Sequence, residues 1–169
     1  MSNWKNTESW NRGQVVESDF SKLLEIRGVS WRKANRQEQF SHIDYHTSFG
    51  SIDVKAKKRI SRSDSSEQDE LIWLEFKNVQ GKKGWLSGSA DIIAFERADD
   101  FVLVRRKELL LWAQGKCDLN SLVANSRNAL YKGYSRKGRK DLISIVKMVD
   151  ILGLHHRIWE KRVNKDNEN

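Results

Sequence analysis

From Arg12 onward Val15, Val16, Phe20, Leu23, Leu24 and Ile26 recur at helical spacing and stop before Gly28, which predicts a first helix behind a loose polar opening at residues 1–10. The period then shortens. Residues 30–34 predict a short strand, residues 40–47 alternate apolar and polar positions, and Gly50 introduces Ile52, Val54 and Ala56, so 40–56 reads as a hairpin. Residues 59–70 have almost no apolar content and predict an exposed loop that carries little chemistry. Alternation returns over 71–79, with Ile72, Leu74 and Phe76 on one face and Trp73, Glu75 and Lys77 on the other. Strands are predicted at 91–95 and 101–105 around an acidic turn at Asp99 and Asp100, followed by a short helix over 107–114. Residues 131–140 predict a flexible basic loop. Asp141 is expected to cap a helix or turn marked by Ile143, Val146, Met148, Val149 and Ile151, and 155–159 reads as an edge strand.

Composition narrows the functional classes. At 169 residues without an internal repeat, one core in one domain spanning 1–169 is expected. Apolar runs are far shorter than the roughly 20 residues that span a bilayer, and no signal-like stretch opens the chain, so a soluble protein without a membrane partner is expected. The lone Cys117 excludes an internal disulfide and a multi-cysteine zinc site, which fits a reducing cytoplasm. A net charge of +8 favours a polyanionic partner, nucleic acid first, although a basic surface with no such role also fits.

The hairpin carries the candidate chemistry. Asp53 and Lys55 share one strand face, Asp44 lies on the neighbouring strand within reach, and Ile52 and Val54 turn the other way. Hard carboxylate oxygens suit Mg²⁺ or Mn²⁺, and an ammonium beside them suits a water nucleophile and a phosphate, so the trio points to phosphodiester hydrolysis. The bland alternative is an ordinary surface ion pair, because an acid and a base two apart are common in strands. His155 and His156 face opposite sides of a strand and do not share a metal. His42 and His46 straddle Asp44 on the same face, where one could shield or tune a metal site, but surface histidines are the expectation.

Ile43-Asp44-Tyr45, the turn at Phe49-Gly50 and Ile52-Asp53-Val54-Lys55-Ala56-Lys57 together resemble the core of the PD-(D/E)xK nuclease superfamily, with Ile43 standing where that pattern carries proline. The likeness extends to small phage-encoded, Holliday-junction-resolvase-like members, in which a helix glutamate precedes the hairpin and a strand ending in glutamate follows it. Glu17 and Glu75 match those positions, and the segment from Gly84 to Asp91 is similar to the family's glycine-rich turn and alanine-aspartate strand. The resemblance covers residues 12–106, leaving a C-terminal basic loop, helix and strand over 131–160. It implies an α/β fold with a mixed central β-sheet flanked by α-helices, a restriction-endonuclease-like core. It also implies a Mg²⁺-dependent (or Mn²⁺-dependent) DNA endonuclease, structure-selective and phage-type, in the host cytoplasm. Asp44, Asp53 and the Val54 backbone carbonyl would be the metal ligands, Lys55 and Glu17 would complete the catalytic set, no small-molecule cofactor is implied, and a homodimer is compatible.

A second register competes, because Glu75-Phe76-Lys77 has the same acid-x-lysine spacing with Asp53 upstream. The hairpin register is preferred: a short turn sets Asp44 beside Asp53, whereas the alternative must cross residues 59–70. Glu75 and Lys77 are then second-rank candidates that flank the metal or touch phosphate. Lys57, Lys82, Lys83, Lys132, Arg136, Lys137, Arg139 and Lys140 are the expected phosphate contacts, five of which would give a log-log salt slope of about −4.5. Tyr131, Tyr134 and Trp85 are candidates to stack on unpaired bases, against a packing role for each. Two other classes stay open: a catalytically inactive nuclease-fold nucleic-acid-binding or accessory protein, and an adaptor that binds a protein through its aromatic surface.

Overall fold

The structure, a computed structural model, describes residues 8–61 and 63–162. Helix α1 (Glu8–Ile26) buries Val16, Phe20, Leu23 and Leu24 and ends where Gly28 takes φ +66°, the left-handed conformation that glycine adopts without a Cβ penalty. It begins before Arg12, so residues 8–10, expected to be loose, are helical; residues 1–7 and 163–169 lie outside the described chain. Next come β1 (Trp31–Lys33), α2 (Arg36–Phe40), β2 (Tyr45–Thr47) and β3 (Gly50–Lys55). The strand expected over 40–47 is therefore only its second half. Asn35 caps the residues that follow it, Arg36–Phe40, as a helix by accepting from the Glu38 N–H, while Glu38 accepts from the Asn35 N–H, a reciprocal pair that outweighs the alternating pattern.

The remaining elements are β4 (Leu71–Lys77), a 3-10 turn (Trp85–Ser87), β5 (Ile92–Glu96), β6 (Asp100–Arg105), α3 (Arg106–Lys116), β7 (Asp118–Val123), β8 (Lys132–Tyr134), β9 (Leu142–Lys147), α4 (Met148–Ile151) and β10 (His156–Glu160). Two corrections fall here. Residues 142–147 form a strand whose Ile143, Ile145 and Val146 are buried, because an apolar run at this length fits a doubly covered strand as well as a helix. Asp141 caps no helix. It ties the preceding loop by accepting from Arg136 Nε at 2.6 Å and from the Arg136 N–H at 2.8 Å, and residues 132–134 of that loop are strand β8.

The fold is mixed α/β with two mixed sheets. One has six strands in the order β1-β2-β3-β5-β6-β10, antiparallel except where β3 runs parallel to β5. The other has four, in the order β4-β9-β8-β7. Alternation along the six-stranded sheet divides its burial: Tyr45, Ile52, Val54, Ala94, Phe101 and Leu103 pack with α1, while Ile93, Phe95, Val102 and Val104 face Leu74 of β4, Val146 of β9, and Leu109 and Ala113 of α3. Helix covers one face of the large sheet, and the second sheet with α3 and α4 covers much of the other. This departs from a single sheet flanked by helices, because residues 71–77 and 142–147 pair with each other and not with the central sheet. No described helix is long and apolar enough to cross a membrane.

Candidate active site

The pairing of β2 with β3 sets Tyr45 opposite Ile52, which brings Asp44 opposite Asp53 at the point where β2 begins. The Asp44 N–H donates to the Ile52 carbonyl at 2.8 Å, and the Asp44 carboxylate accepts from the Val54 N–H at 2.7 Å, so this side chain closes the ladder one step beyond the strand. Because Ile52 turns its backbone groups toward β2, Val54, two residues on, does the same, and its carbonyl faces the Asp44 side of β3. Side chains alternate independently: Asp53 and Lys55 stand together on the face away from α1.

Asp53 is 3% exposed. Its Oδ1 lies 3.0 Å from Lys55 Nζ, while its Oδ2 is buried without a hydrogen-bond partner. Burial pushes the Asp53 pKa up to about 8, the Lys55 charge opposing and the Asp44 charge adding. Lys55 is steadied from its other side by the buried Trp85 ring, whose centroid is 4.9 Å from Nζ. Glu17, on α1, lies within electrostatic range of Asp44 and Lys55: burial raises its pKa to about 7, Asp44 adds to the rise, and Lys33 and Lys55 oppose it. Three acids thus share one neighbourhood, and burial holds two of them well above the ordinary carboxylate range. As the side chains stand, no group of three or more His, Cys, Asp or Glu among the described residues is arranged to hold a metal ion.

The competing register has a different environment. β3 and β4 belong to different sheets, so Asp53 is not the hairpin partner of Glu75. The pairing of β4 with β9 also shifts between Glu75 and Lys77, a bulge that interrupts the regular alternation of faces. Glu75 is half-buried and accepts a long 3.4 Å hydrogen bond from the Trp85 N–H, and Lys77 is exposed. Gly84 passes so close to this strand that a Cβ there would stand 2.3 Å from the Glu75 carbonyl oxygen.

Of the expected phosphate contacts, Lys82, Lys83, Lys132, Lys137, Arg139 and Lys140 are exposed, while Lys57 is half-buried with its N–H on Glu96. Arg136 is committed to Asp141. The charges of Lys55, Glu75, Arg136 and Asp53 all act on Lys58. The stacking candidates fare less well: Trp85 is buried, Tyr134 packs edge-on to Trp73 with centroids 6.3 Å apart, and the Tyr131 hydroxyl is bonded to Asp150. Asp91 of the glycine-rich segment accepts from the Ser51 N–H at 2.9 Å and the Ser51 hydroxyl at 3.1 Å, a fastening between β3 and the start of β5.

Sequence reasoning passed over Lys33 and Lys58 and expected His42 at the surface. His42 is half-buried, carries φ +62°, and packs where a Cβ on Gly88 would meet its own Cβ at 2.9 Å. Burial lowers its pKa, with Lys55 acting in the same direction and Glu75, a hydrogen bond from the ring to the Lys83 backbone and Asp44 opposing. A positive φ outside glycine is a strained conformation that clusters at functional sites, and no spacing rule announces it. His46, the other flanking histidine, lies 3.2 Å from Glu38. Comparison with family models, with curated proteins and with solved structures finds no match to this chain.

Proposed function

We propose that this chain is a divalent-metal-dependent nuclease that hydrolyses phosphodiester bonds in DNA, built on a restriction-endonuclease-like core. The observation that carries the reading is the buried, unpartnered Asp53 Oδ2 beside Asp44 and Lys55. Burial holds Asp53 away from ionisation, with the Asp44 carboxyl adding to the effect, and a cation beside Asp53 relieves that penalty. The residues present fit such an ion. Mg²⁺ keeps several waters and takes only one or two protein carboxylates, so Asp44, Asp53 and the Val54 carbonyl are a sufficient set where a three-acid cage is absent.

When bound, Mg²⁺ or Mn²⁺ supplies Lewis acidity and neutralises charge on the phosphate. Lys55, held between Asp53 and Trp85, orients the attacking water and stabilises negative charge growing on the phosphate oxygens. Glu17, with a pKa near neutrality, is matched to accept or hold that water's proton. The exposed Lys132, Lys137, Arg139 and Lys140 position the sugar-phosphate backbone without reading sequence.

Incubation with Mg²⁺ or Mn²⁺ and supercoiled, linear, single-stranded and branched DNA tests this. Cleavage by the wild type and none by Asp53→Ala is expected. If every substrate survives, or if wild type and Asp53→Ala cut alike, the enzyme reading is lost. One observation favours a second reading, an inactive nucleic-acid-binding or accessory protein: one oxygen of each aspartate is already satisfied, by Lys55 and by the Val54 N–H. That protein would bind DNA in a salt-sensitive way with no metal-dependent cleavage.

A further inference from the structure

Helix α2 buries none of its residues, so hydrophobic burial does not explain why it is ordered. Polar ties hold it instead. Besides the Asn35 and Glu38 cap, Glu38 takes two hydrogen bonds from Arg32, at 2.8 and 3.0 Å, and Gln39 Nε2 donates to the Ala34 carbonyl at 3.0 Å. Such a stub is rigid without being part of the core. At its end stands Phe40, 73% exposed, with the Arg36 guanidinium 5.8 Å from its ring centroid.

Its place in the chain gives that ring a purpose. Phe40 is two residues from His42 and four from Asp44, so its Cα is within about 14 Å of Asp44, a span of about four stacked nucleotides. Lys33, whose charge reaches Glu17, and Arg36 line the same segment, while Arg32 is paired with Glu38; the two remaining cations suit a phosphate chain and disfavour a cationic partner. An exposed aromatic ring flanked by arginine, beside a basic rim, is the chemistry that binds an unpaired base by its π face. In an intact duplex the base faces are stacked on one another and offer no such surface.

We propose that Phe40, with Arg36, is a stacking platform for an unpaired base of the substrate, so that the Asp44 and Asp53 site takes single-stranded DNA or the single-stranded part of a branched substrate in preference to duplex. This rests on the nuclease reading of the site, yet the two are separable by experiment. Binding is measured in EDTA, where no cleavage occurs, with the full chain and a labelled 15-nucleotide DNA as single strand and as duplex. A second single strand carries 2-aminopurine, whose fluorescence falls on stacking.

The wild type is expected to quench 2-aminopurine and to favour the single strand. Phe40→Ala should lose the quenching and weaken single-strand binding about tenfold or more while leaving duplex binding unchanged. Phe40→Trp should restore both, and Leu111→Ala, at another exposed apolar position on α3, should change neither. Since α2 buries nothing, the circular dichroism of Phe40→Ala should match the wild type. Equal weakening of single strand and duplex, no effect of Phe40→Ala, no rescue by Phe40→Trp, or an equal loss in Leu111→Ala would each overturn the proposal. A protein that shows the Phe40-dependent preference but cuts nothing with Mg²⁺ or Mn²⁺ would uphold the platform and remove the nuclease reading alone.

Discussion

Asp53-Val54-Lys55 and Glu75-Phe76-Lys77 have the same spacing and each lies in a strand, yet the fold treats them in opposite ways. The first sits in a regular ladder, where Asp53 pairs with Ile93 and Lys55 with Phe95, so its acid and base share a face and meet at 3.0 Å. The second straddles a bulge, its acid leaning on a backbone N–H and its lysine in solvent. The first also has a second acid opposite it across a hairpin; the second lies in another sheet from its would-be partner. An acid-x-lysine triplet therefore acquires chemical meaning from strand regularity and from what stands across the ladder.

That contrast predicts a wide separation in activity. Asp53→Asn and Lys55→Ala are each expected to lower Mg²⁺-dependent cleavage by roughly 10³-fold, whereas Lys77→Ala should change it by less than about threefold, as initial rates on a labelled oligonucleotide would measure. A loss at Lys77 equal to that at Lys55 would break the comparison. Gly84→Ala should destabilise the protein by about 3 kcal/mol in a denaturant titration, because the new Cβ must displace the Glu75 backbone, 2.3 Å away. Full stability in that variant would contradict a structural role for the Glu75 strand.

The acids should also differ in how they couple stability to pH. Asp53 has a folded pKa of about 8 against an ordinary 3.8, so between those values the native state holds a proton that the unfolded chain has released. Stability from this group is therefore highest below about pH 4 and falls as pH rises toward 8, and Glu17, raised from 4.5 to about 7, acts in the same sense. In EDTA at pH 7, Asp53→Asn should accordingly be more stable than wild type by about 1–2 kcal/mol, with a flatter dependence of Tm on pH. A less stable Asp53→Asn would mean that the Lys55 pair outweighs burial. The smallest effect belongs to Lys77: if it touches phosphate, Lys77→Ala should lower the magnitude of the log-log salt slope of DNA binding by about 0.9 and leave the cleavage rate per bound complex unchanged.

Much of the site was legible because it depends on local rules. Period-two alternation gave the shared face of Asp53 and Lys55, and the short turn at Phe49 and Gly50 gave the pairing that carries Asp44 to Asp53. What stayed hidden depends on contacts distant in sequence. The second sheet joins residues 71–77 to 142–147, a pairing of buried apolar segments that no local pattern encodes, and so Ile143 to Val146 read as a helix. Likewise the sequence shows Arg136 without the Asp141 that holds it, and leaves Trp85 open between base stacking and the packing role it takes beneath Lys55. Phe40 passed as one more apolar residue in an alternating run, because the cap that makes it the end of a helix is formed by polar side chains.

Calorimetric titration of Mn²⁺ into the wild type, Asp53→Ala and Glu75→Ala tests most directly whether the hairpin pair is the metal site. Saturable binding is expected in the wild type, with a loss of at least about a hundredfold in Asp53→Ala, given that removing even outer hydrogen-bond partners of a metal ligand costs about 10–100-fold, and a change within about threefold in Glu75→Ala. Absence of binding to the wild type, undiminished binding to Asp53→Ala, or its loss in Glu75→Ala would contradict the account.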